Sequence, residues 1–227
     1  MHTNKLLVVC AHPDDEVLGC GGTVAKLVKE GYEAHVLILG EGITSRDETR
    51  IRGKRKNNIQ ELKRQALKAN KIIGVKNIVT CDYPDNRFDR VDLLDIVKTI
   101  EKVKNKVKPH IVFTHYGRDL NIDHRMVYQA VLTATRPSCK ESVKGIYSFE
   151  IVSSTEWNYP LSFSPDMFFD ISETLDVKLN ALKEYHREIT YDGSLRSLKG
   201  IELSAQYWGA SVGLKYAEAF KVVRIIR

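Results

Sequence analysis

Short apolar runs alternate with amphipathic stretches through the first two thirds of the chain. The runs are almost continuously apolar, which is typical of strands buried on both faces, and they predict strands at 5–11, 33–40, 77–81, 110–115 and 145–151. Between them, apolar residues recur at helical spacing and predict helices at 16–31, 67–75, 91–107 and 123–136. This alternation predicts an α/β fold, with a mostly parallel sheet sandwiched by helices.

The pattern becomes less regular after residue 151. An amphipathic helix is predicted at 174–189, and a further helix and a strand within 194–220. No internal repeat, low-complexity tract or linker rich in proline and glycine separates the two parts. We therefore predict a single domain over 1–227, with a core of about 1–150 and a C-terminal elaboration of about 151–227.

Composition indicates a soluble globular protein: 43% of the 227 residues are hydrophobic and 28% are charged. No apolar run approaches the ~20 residues of a membrane span, and the first apolar run is too short for a signal peptide. The four cysteines form no CxxC pair, so we predict free thiols and a cytoplasmic protein. The segment 46–64 carries eight basic residues against three acids. It could meet an anionic part of a substrate or form a solvated helix face, and without interleaved aromatic residues it does not predict a nucleic-acid partner.

Two polar motifs follow predicted strands. AHPDDEVLGCGG at 11–22 comes after the first strand, and FTHYGRDLNIDH at 113–124 ends the fourth strand and continues beyond it. In a parallel sheet the carboxyl ends of the strands meet at one edge, where ligands bind. We expect this edge to bring together His12, Asp14, Asp15, His115, Asp119, Asp123 and His124.

Histidine and carboxylate at one edge suggest a zinc site, because catalytic zinc takes three such ligands and leaves one position open. A set of His12, Asp15 and His124 would leave Asp14 free to take a proton from an attacking water. The same donors suit Fe²⁺ or Co²⁺. Phosphoryl transfer through Asp14 and a non-catalytic module remain alternatives. A dinucleotide site is disfavoured, because three acids stand where the phosphates would lie and the glycines come late.

AHPDDEVLGCGGT together with DLNIDHRMVYQA resembles the PIG-L/LmbE family of zinc-dependent de-N-acetylases. Weaker similarity continues through LKANKIIGV, YPDNRFD, YSFEIVSSTEWN and VGLKYAEAF, so it covers nearly the whole chain. The resemblance implies a Rossmann-like, LmbE-like fold with one Zn²⁺ per chain. It also implies an N-deacetylase that hydrolyses the acetamide of an amino sugar to acetate and a free amine. Homo-oligomers, trimers or hexamers, are implied as well.

The resemblance also assigns roles to single residues. His12, Asp15 and His124 match the metal ligands, Asp14 the general base, and Asp123 an acid that orients a histidine or pairs with a protonated neighbour. Many relatives carry a histidine where this chain has Asn121, and an amide can donate to an oxyanion but supplies no proton. We therefore expect Asp14 to return its proton to the departing amine.

Substrate contacts are predicted from weaker signals. Asp85 would accept hydrogen bonds from sugar hydroxyls and Arg87 would meet a phosphate, while Arg64, Arg196 and His186 are further candidates. His186, His115 and Tyr116 are also alternative acids. The substrate would be a nucleotide- or phosphate-linked sugar of surface-polysaccharide metabolism. The alternatives are a chito-oligosaccharide, a thiol-glycoside precursor, and a sugar-binding module without turnover.

Overall fold

The computed structural model describes residues 4–46, 52–139, 141–191 and 193–226. Within these ranges seven strands form one sheet in the order β3-β2-β1-β4-β5-β7-β6. The strands are β1 Lys5–Cys10, β2 Glu33–Gly40, β3 Asn77–Tyr83, β4 Ile111–His115, β5 Gly145–Phe149, β6 Met167–Asp170 and β7 Ala217–Ile225. The helices are α1 Asp15–Lys29, α2 Arg52–Ile72, α3 Leu93–Val107, α4 Ile122–Ala134, α5 Leu175–Leu182 and α6 Leu198–Ser211. No helix of the described ranges is long and apolar enough to cross a bilayer.

The first five strands are parallel to one another, as predicted, and β7 runs antiparallel to both β5 and β6. Strand β1 lies between β2 and β4, so the chain winds outward in both directions from β1. The crevice at such a switch point, beyond the carboxyl ends of the strands, is the usual ligand site of open α/β sheets. Both polar motifs begin there.

The central strand shows why the apolar runs are continuous. Leu6, Val8 and Cys10 pack in a core cluster with residues of α1, α2 and α5. Leu7 and Val9 pack on the other face with residues of α3 and α4. A strand covered on both faces has no solvent side on which polar residues would recur.

Helix α1 packs closely on the sheet, as its glycines suggested. A Cβ on Gly19 would lie 2.2 Å from Cδ2 of Phe149 in β5, which is an impossible contact. The helix is interrupted at Cys20, whose φ of −150° is not helical. Glu218 of β7 accepts the backbone N–H groups of Gly22 and Thr23 at 3.0 and 2.7 Å, so it caps the second half of the helix.

The C-terminal part differs from the predicted pattern in two places, and α2 begins fifteen residues before the predicted 67–75. Instead of one helix over 174–189, α5 ends at Leu182 and a short 3₁₀ turn, Lys183–Tyr185, follows. In that turn Tyr185 is completely buried and donates its hydroxyl to Glu16 Oε1 at 2.5 Å. The last strand also runs further than predicted, to Ile225.

Candidate metal and active site

A polar cavity of about 180 Å³ opens where the two sequence motifs meet. The turn after β1, the loops that follow the next strands, and the segment before α6 supply its walls. Its lining includes His12, Asp14, Asp15, Ser45, Asp85, Asn86, Asn121, His124, Ser153, Ser154, Glu188 and Arg196.

The three expected metal ligands converge at one end of this cavity. Asp15 Oδ2 lies 3.4 Å from His12 Nδ1 and 3.5 Å from His124 Nε2. One donor atom from each residue lies within 4.8 Å of the others. Two imidazoles and a carboxylate form a donor set typical of catalytic zinc, so these residues fit a divalent cation.

Each imidazole turns its other nitrogen toward a further carboxylate. His12 Nε2 lies 2.9 Å from Asp123 Oδ2, and His124 Nδ1 lies 3.0 Å from Asp119 Oδ1. In metal sites, partners of this kind fix the ring orientation and make the ligating nitrogen more basic. Both rings are therefore aimed at the point they share with Asp15.

His12 also belongs to a second candidate group. Its Nε2 lies 3.3 Å from Asp85 Oδ1, and His12, Asp85 and Asp123 again offer donor atoms within 4.8 Å of one another. The oxygens of Asp123, however, already accept the backbone N–H groups of Asn86 and Phe88 at 2.6 and 2.9 Å. Asp123 is thus placed to orient His12, and the group with Asp15 is the better cation site.

Charge compensation among these groups shows in their pKa values. Burial raises the pKa of Asp15, but His124 and His115 lower it by more, so it lies well below its usual range. Burial lowers the pKa of His124, but Asp15 and Asp119 raise it to about 9. A metal ligand must be deprotonated, so a cation bound here has to displace a proton from His124.

His115 supports this group without joining it. Its ring is stacked on His124, with centroids 3.9 Å apart and planes inclined by 10°. Its Nε2 accepts the N–H group of Ala11 at 2.9 Å. Burial and the neighbouring His124 hold the pKa of His115 well below its ordinary value. A neutral ring whose Nε2 already accepts a hydrogen bond is unsuited to protonate the departing amine, the role for which the sequence offered His115 as an alternative.

Asp14 lies beside the group, with Oδ2 accepting a hydrogen bond from Arg196 Nη2 at 2.5 Å. Burial raises the pKa of Asp14 to about 7, although Arg196 acts to lower it. A carboxyl that titrates near neutral pH suits a general base. Its φ of 107° is unusual for a non-glycine residue, and Glu16 Oε2 accepts its N–H group at 3.0 Å.

Asn121 begins the helix that carries His124. Its Oδ1 accepts the N–H group of Asp123 at 2.8 Å, which makes it the N-cap of α4. Since Oδ1 is engaged in the cap, Nδ2 is the atom left to donate, and Asn121 lines the cavity.

The predicted substrate-binding residues divide into two sets. Asp85 and Arg196 line the cavity, and Asp85 Oδ2 also accepts the N–H group of Ser45 at 2.9 Å. Arg64, Arg87 and His186 are not among the lining residues.

Two of these three residues, Arg64 and His186, lie at exposed positions. The Arg64 side chain is 67% exposed on α2 and pairs with Glu61. His186 is exposed, with Nε2 only 3.4 Å from Gln65 Nε2. Of the basic stretch 46–64, residues 47–51 lie outside the described residues.

Sequence reasoning missed Ser45, Ser153 and Glu188, which also line the cavity. Ser45 and Glu188 come from segments with no motif around them, and Ser153, although it lies in the matching segment YSFEIVSSTEWN, carries no signal of its own that points to the cavity.

Comparison with known proteins bears on the same residues. A family model described as GlcNAc-PI de-N-acetylase, PIG-L, matches residues 7–135, which is more than half of the chain. The chain belongs to the PIG-L family. The match contains both polar motifs, and the resemblance inferred from them is confirmed.

Curated relatives of this PIG-L protein are deacetylases. The uncharacterized deacetylase YaiS of Escherichia coli K12 is 30% identical over 186 residues, which cover 79% of this chain and 89% of YaiS. Diacetylchitobiose deacetylase of Thermococcus kodakarensis is 28% identical over 232 residues, 96% of this chain and 83% of that enzyme. The predicted deacetylase class is confirmed by this membership.

The fold is shared more widely than the reaction. The crystal structure of GalB, the 4-carboxy-2-hydroxymuconate hydratase from Pseudomonas putida KT2440, is 23% identical, with a TM-score of 0.77 over 99% of each chain. This likeness confirms the predicted α/β fold class. Because a hydratase has the same fold, the reaction has to be argued from the site.

Proposed function

We propose that this PIG-L protein hydrolyses the acetamide of an N-acetylated amino sugar, with one zinc ion held by His12, Asp15 and His124. One observation carries the proposal. The three donor atoms lie within 4.8 Å of one another, beside a carboxylate, Asp14, that belongs to neither candidate metal group. A cation held there would supply Lewis-acid polarisation of the acetyl carbonyl.

Asp14 performs the proton transfers. Its carboxylate takes a proton from the water that attacks the acetyl carbon, and later gives this proton to the sugar nitrogen as the C–N bond breaks. The products are acetate and a free amine. Arg196 favours the ionised form of Asp14, the form that accepts the first proton.

Asn121 would stabilise the oxyanion that forms on the acetyl carbonyl oxygen. Its Nδ2 would donate to the carbonyl oxygen as negative charge develops there, a contribution that an amide makes without releasing a proton. Asp123 keeps the His12 ring in position, and Asp85 would accept hydrogen bonds from sugar hydroxyls.

The identity of the sugar is a separate prediction. A nucleotide- or phosphate-linked sugar stays a prediction, since Arg64 and Arg87 do not line the cavity. A chito-oligosaccharide is the alternative, because the T. kodakarensis relative is a diacetylchitobiose deacetylase.

The remaining predictions concern the protein's setting. Buried free thiols at Cys10 and Cys20 are in keeping with a cytoplasmic location. The trimer or hexamer stays a prediction, which sedimentation would test.

The test is acetate release from N-acetylglucosamine, N,N′-diacetylchitobiose and UDP-N-acetylglucosamine, with metal content measured on the same protein. Asp14→Asn should retain zinc and lose on the order of 10³-fold in activity, as expected for a general base. Loss of zinc from this variant would make Asp14 a ligand. If the wild-type protein releases no acetate from any sugar while holding the metal, the proposal fails.

A further inference from the structure

An apolar groove lies next to the catalytic cavity and is not used by the proposed chemistry. It encloses about 460 Å³, within the range of small-molecule sites, and most of its exposed surface is apolar. Its walls include Val152, Leu161, Phe163, Leu203, Tyr207 and Trp208.

The groove and the cavity share their walls. Val152 and Thr155 face the groove, whereas Ser153 and Ser154 between them line the cavity. In the segment before α6, Leu195 faces the groove and Arg196 the cavity. Neighbouring residues of one backbone segment therefore face opposite sides, so the partition at these places is one residue thick.

The partition is also hydrogen-bonded to a carboxylate that lies next to the metal group. Ser154 and Thr155 donate their hydroxyls to Asp119, the carboxylate beside His124 Nδ1. The wall of the groove is therefore fixed relative to the site at which the acetyl group would react.

The aromatic side of the groove is held by a hydrogen bond and ring contacts. Trp208 donates its Nε1–H to Glu150 Oε1 at 2.5 Å, and its ring meets Phe163 and Tyr207 edge-on at centroid distances of 5.9 and 4.9 Å. Burial raises the pKa of Glu150 to about 7, so this carboxyl is an uncharged polar group for part of the physiological range.

Large apolar side chains at the mouth are left in water. Leu203 and Tyr207, one helical turn apart on α6, are 50% and 65% exposed, and Leu161 is 69% exposed. Exposed apolar side chains around a concave site favour an apolar ligand. The charges of the lining residues also limit which ligand can bind. Among the described residues that line the groove, Glu150 and Glu156 are acids and none is basic. A phosphate or diphosphate would find no partner there.

We propose that the groove binds an apolar aglycone attached to the acetylated sugar. The inference rests on the proposed function, since the sugar would occupy the cavity while its aglycone lies across the shared partition. Concavity, a volume of small-molecule size and an inner polar group favour an aglycone over a flat contact with a second copy of the chain.

The experiment compares p-nitrophenyl N-acetyl-β-glucosaminide with free N-acetylglucosamine. Acetate release gives the ratio of the two kcat/KM values, and quenching of tryptophan fluorescence by the nitrophenyl group reports binding directly, because Trp208 lines the groove. We expect the wild-type protein to prefer the aryl glycoside at least tenfold. Leu203→Asp should lower this preference at least tenfold and abolish the quenching.

Leu94→Asp is the matched control, since Leu94 is 62% exposed on α3 and does not line the groove. It should leave the ratio and the quenching as in the wild type. A wild-type protein that prefers UDP-N-acetylglucosamine or the free sugar, or a Leu203→Asp variant with an intact ratio, overturns the inference. So does a fall in the sedimenting mass of Leu203→Asp, which would make the groove an interface between copies.

The two proposals fail separately. If the wild-type protein releases no acetate but the aryl glycoside quenches its fluorescence and not that of Leu203→Asp, the deacetylase proposal fails and the groove stands. If acetate is released without any quenching, the deacetylase proposal stands and the proposal that the groove binds an aglycone fails.

Discussion

The polar cavity and the apolar groove lie on opposite sides of a partition one residue thick, and they are built in different ways. The cavity stands at the ends of β1 and β4, and three of its lining acids, Asp14, Asp15 and Asp85, each accept a hydrogen bond. The groove is formed by loops and α6 of the C-terminal part, and its apolar side chains lack cover at the mouth. The regular half of the fold positions reactive groups, while the irregular half is free to shape what lies next to them.

Asp15→Asn should have the largest effect on the cavity side of this comparison. Asp15 Oδ2 is the atom that the imidazoles of His12 and His124 both approach, so under the proposed zinc site the variant should lose its zinc below detection in metal analysis. Asp85→Asn is the control, because Asp85 belongs only to the second candidate group. If Asp15→Asn retained zinc and Asp85→Asn lost it, the metal would be assigned to the second candidate group instead.

Glu150→Gln tests the groove side of the comparison, because it should change how the free energy of unfolding depends on pH. The folded-state pKa of Glu150 is raised to about 7 by burial, above that of an unfolded glutamate, so the fold favours the protonated form. The free energy of unfolding should therefore fall as pH rises from ~4.5 through ~7, by up to about 3 kcal/mol from this group. The Gln variant should lack this component, as measured by urea unfolding across that range. Glu173→Gln, at an exposed position, should behave as the wild type, and identical pH slopes for Glu150→Gln and wild type would contradict the prediction.

Gly19→Ala should disturb the support that both regions share. The new methyl group would overlap Phe149, the last residue of β5 before Glu150 and the partition, and we expect a destabilisation of about 2 kcal/mol in urea unfolding. Gly53→Ala is the matched control, because its Cβ would meet no atom within 4 Å. It should be neutral or stabilising by up to about 1 kcal/mol. Equal stabilities of the two variants would show that α1 can move off the sheet.

Arg196→Met should have the smallest effect, on the pH profile. Arg196 lowers the pKa of Asp14, so its loss should raise that pKa and move the acidic limb of kcat/KM to higher pH. A shift of about one unit lowers the rate at pH 7 about fivefold. Arg64→Met, at an exposed position, should leave the limb in place. A rise in KM with an unmoved limb would mean that Arg196 contacts substrate instead.

The same contrast explains what could be predicted from the sequence. The buried strands were predictable because a strand covered on both faces must be apolar throughout, as in Leu6 to Cys10. The convergence of His12, Asp15 and His124 followed from parallel strands ending at one edge. The exposed position of Arg64 on α2 could not be predicted, because this residue was chosen from the resemblance and the sequence around it does not say which face of the helix it occupies.

The groove was not predictable at all. Its walls combine 150–163 with residues of α6, and a contact between an irregular loop and a distant helix leaves no periodic signal in either. The interruption of α1 at Cys20 was hidden for a similar reason, since the group that caps its second half, Glu218, is 195 positions beyond Thr23.

That separation between Thr23 and Glu218 bears on how the protein is made. During synthesis α1 leaves the ribosome long before β7, and until β7 pairs with β5 the amide groups of Gly22 and Thr23 lack their carboxylate. Contacts between residues so far apart in sequence form late, because closing a long loop is entropically costly. The helix that starts with the acids of the first motif is therefore completed by one of the last strands to emerge. A nascent chain would therefore contain all three residues of the proposed metal group before β7 has been made and α1 has its cap.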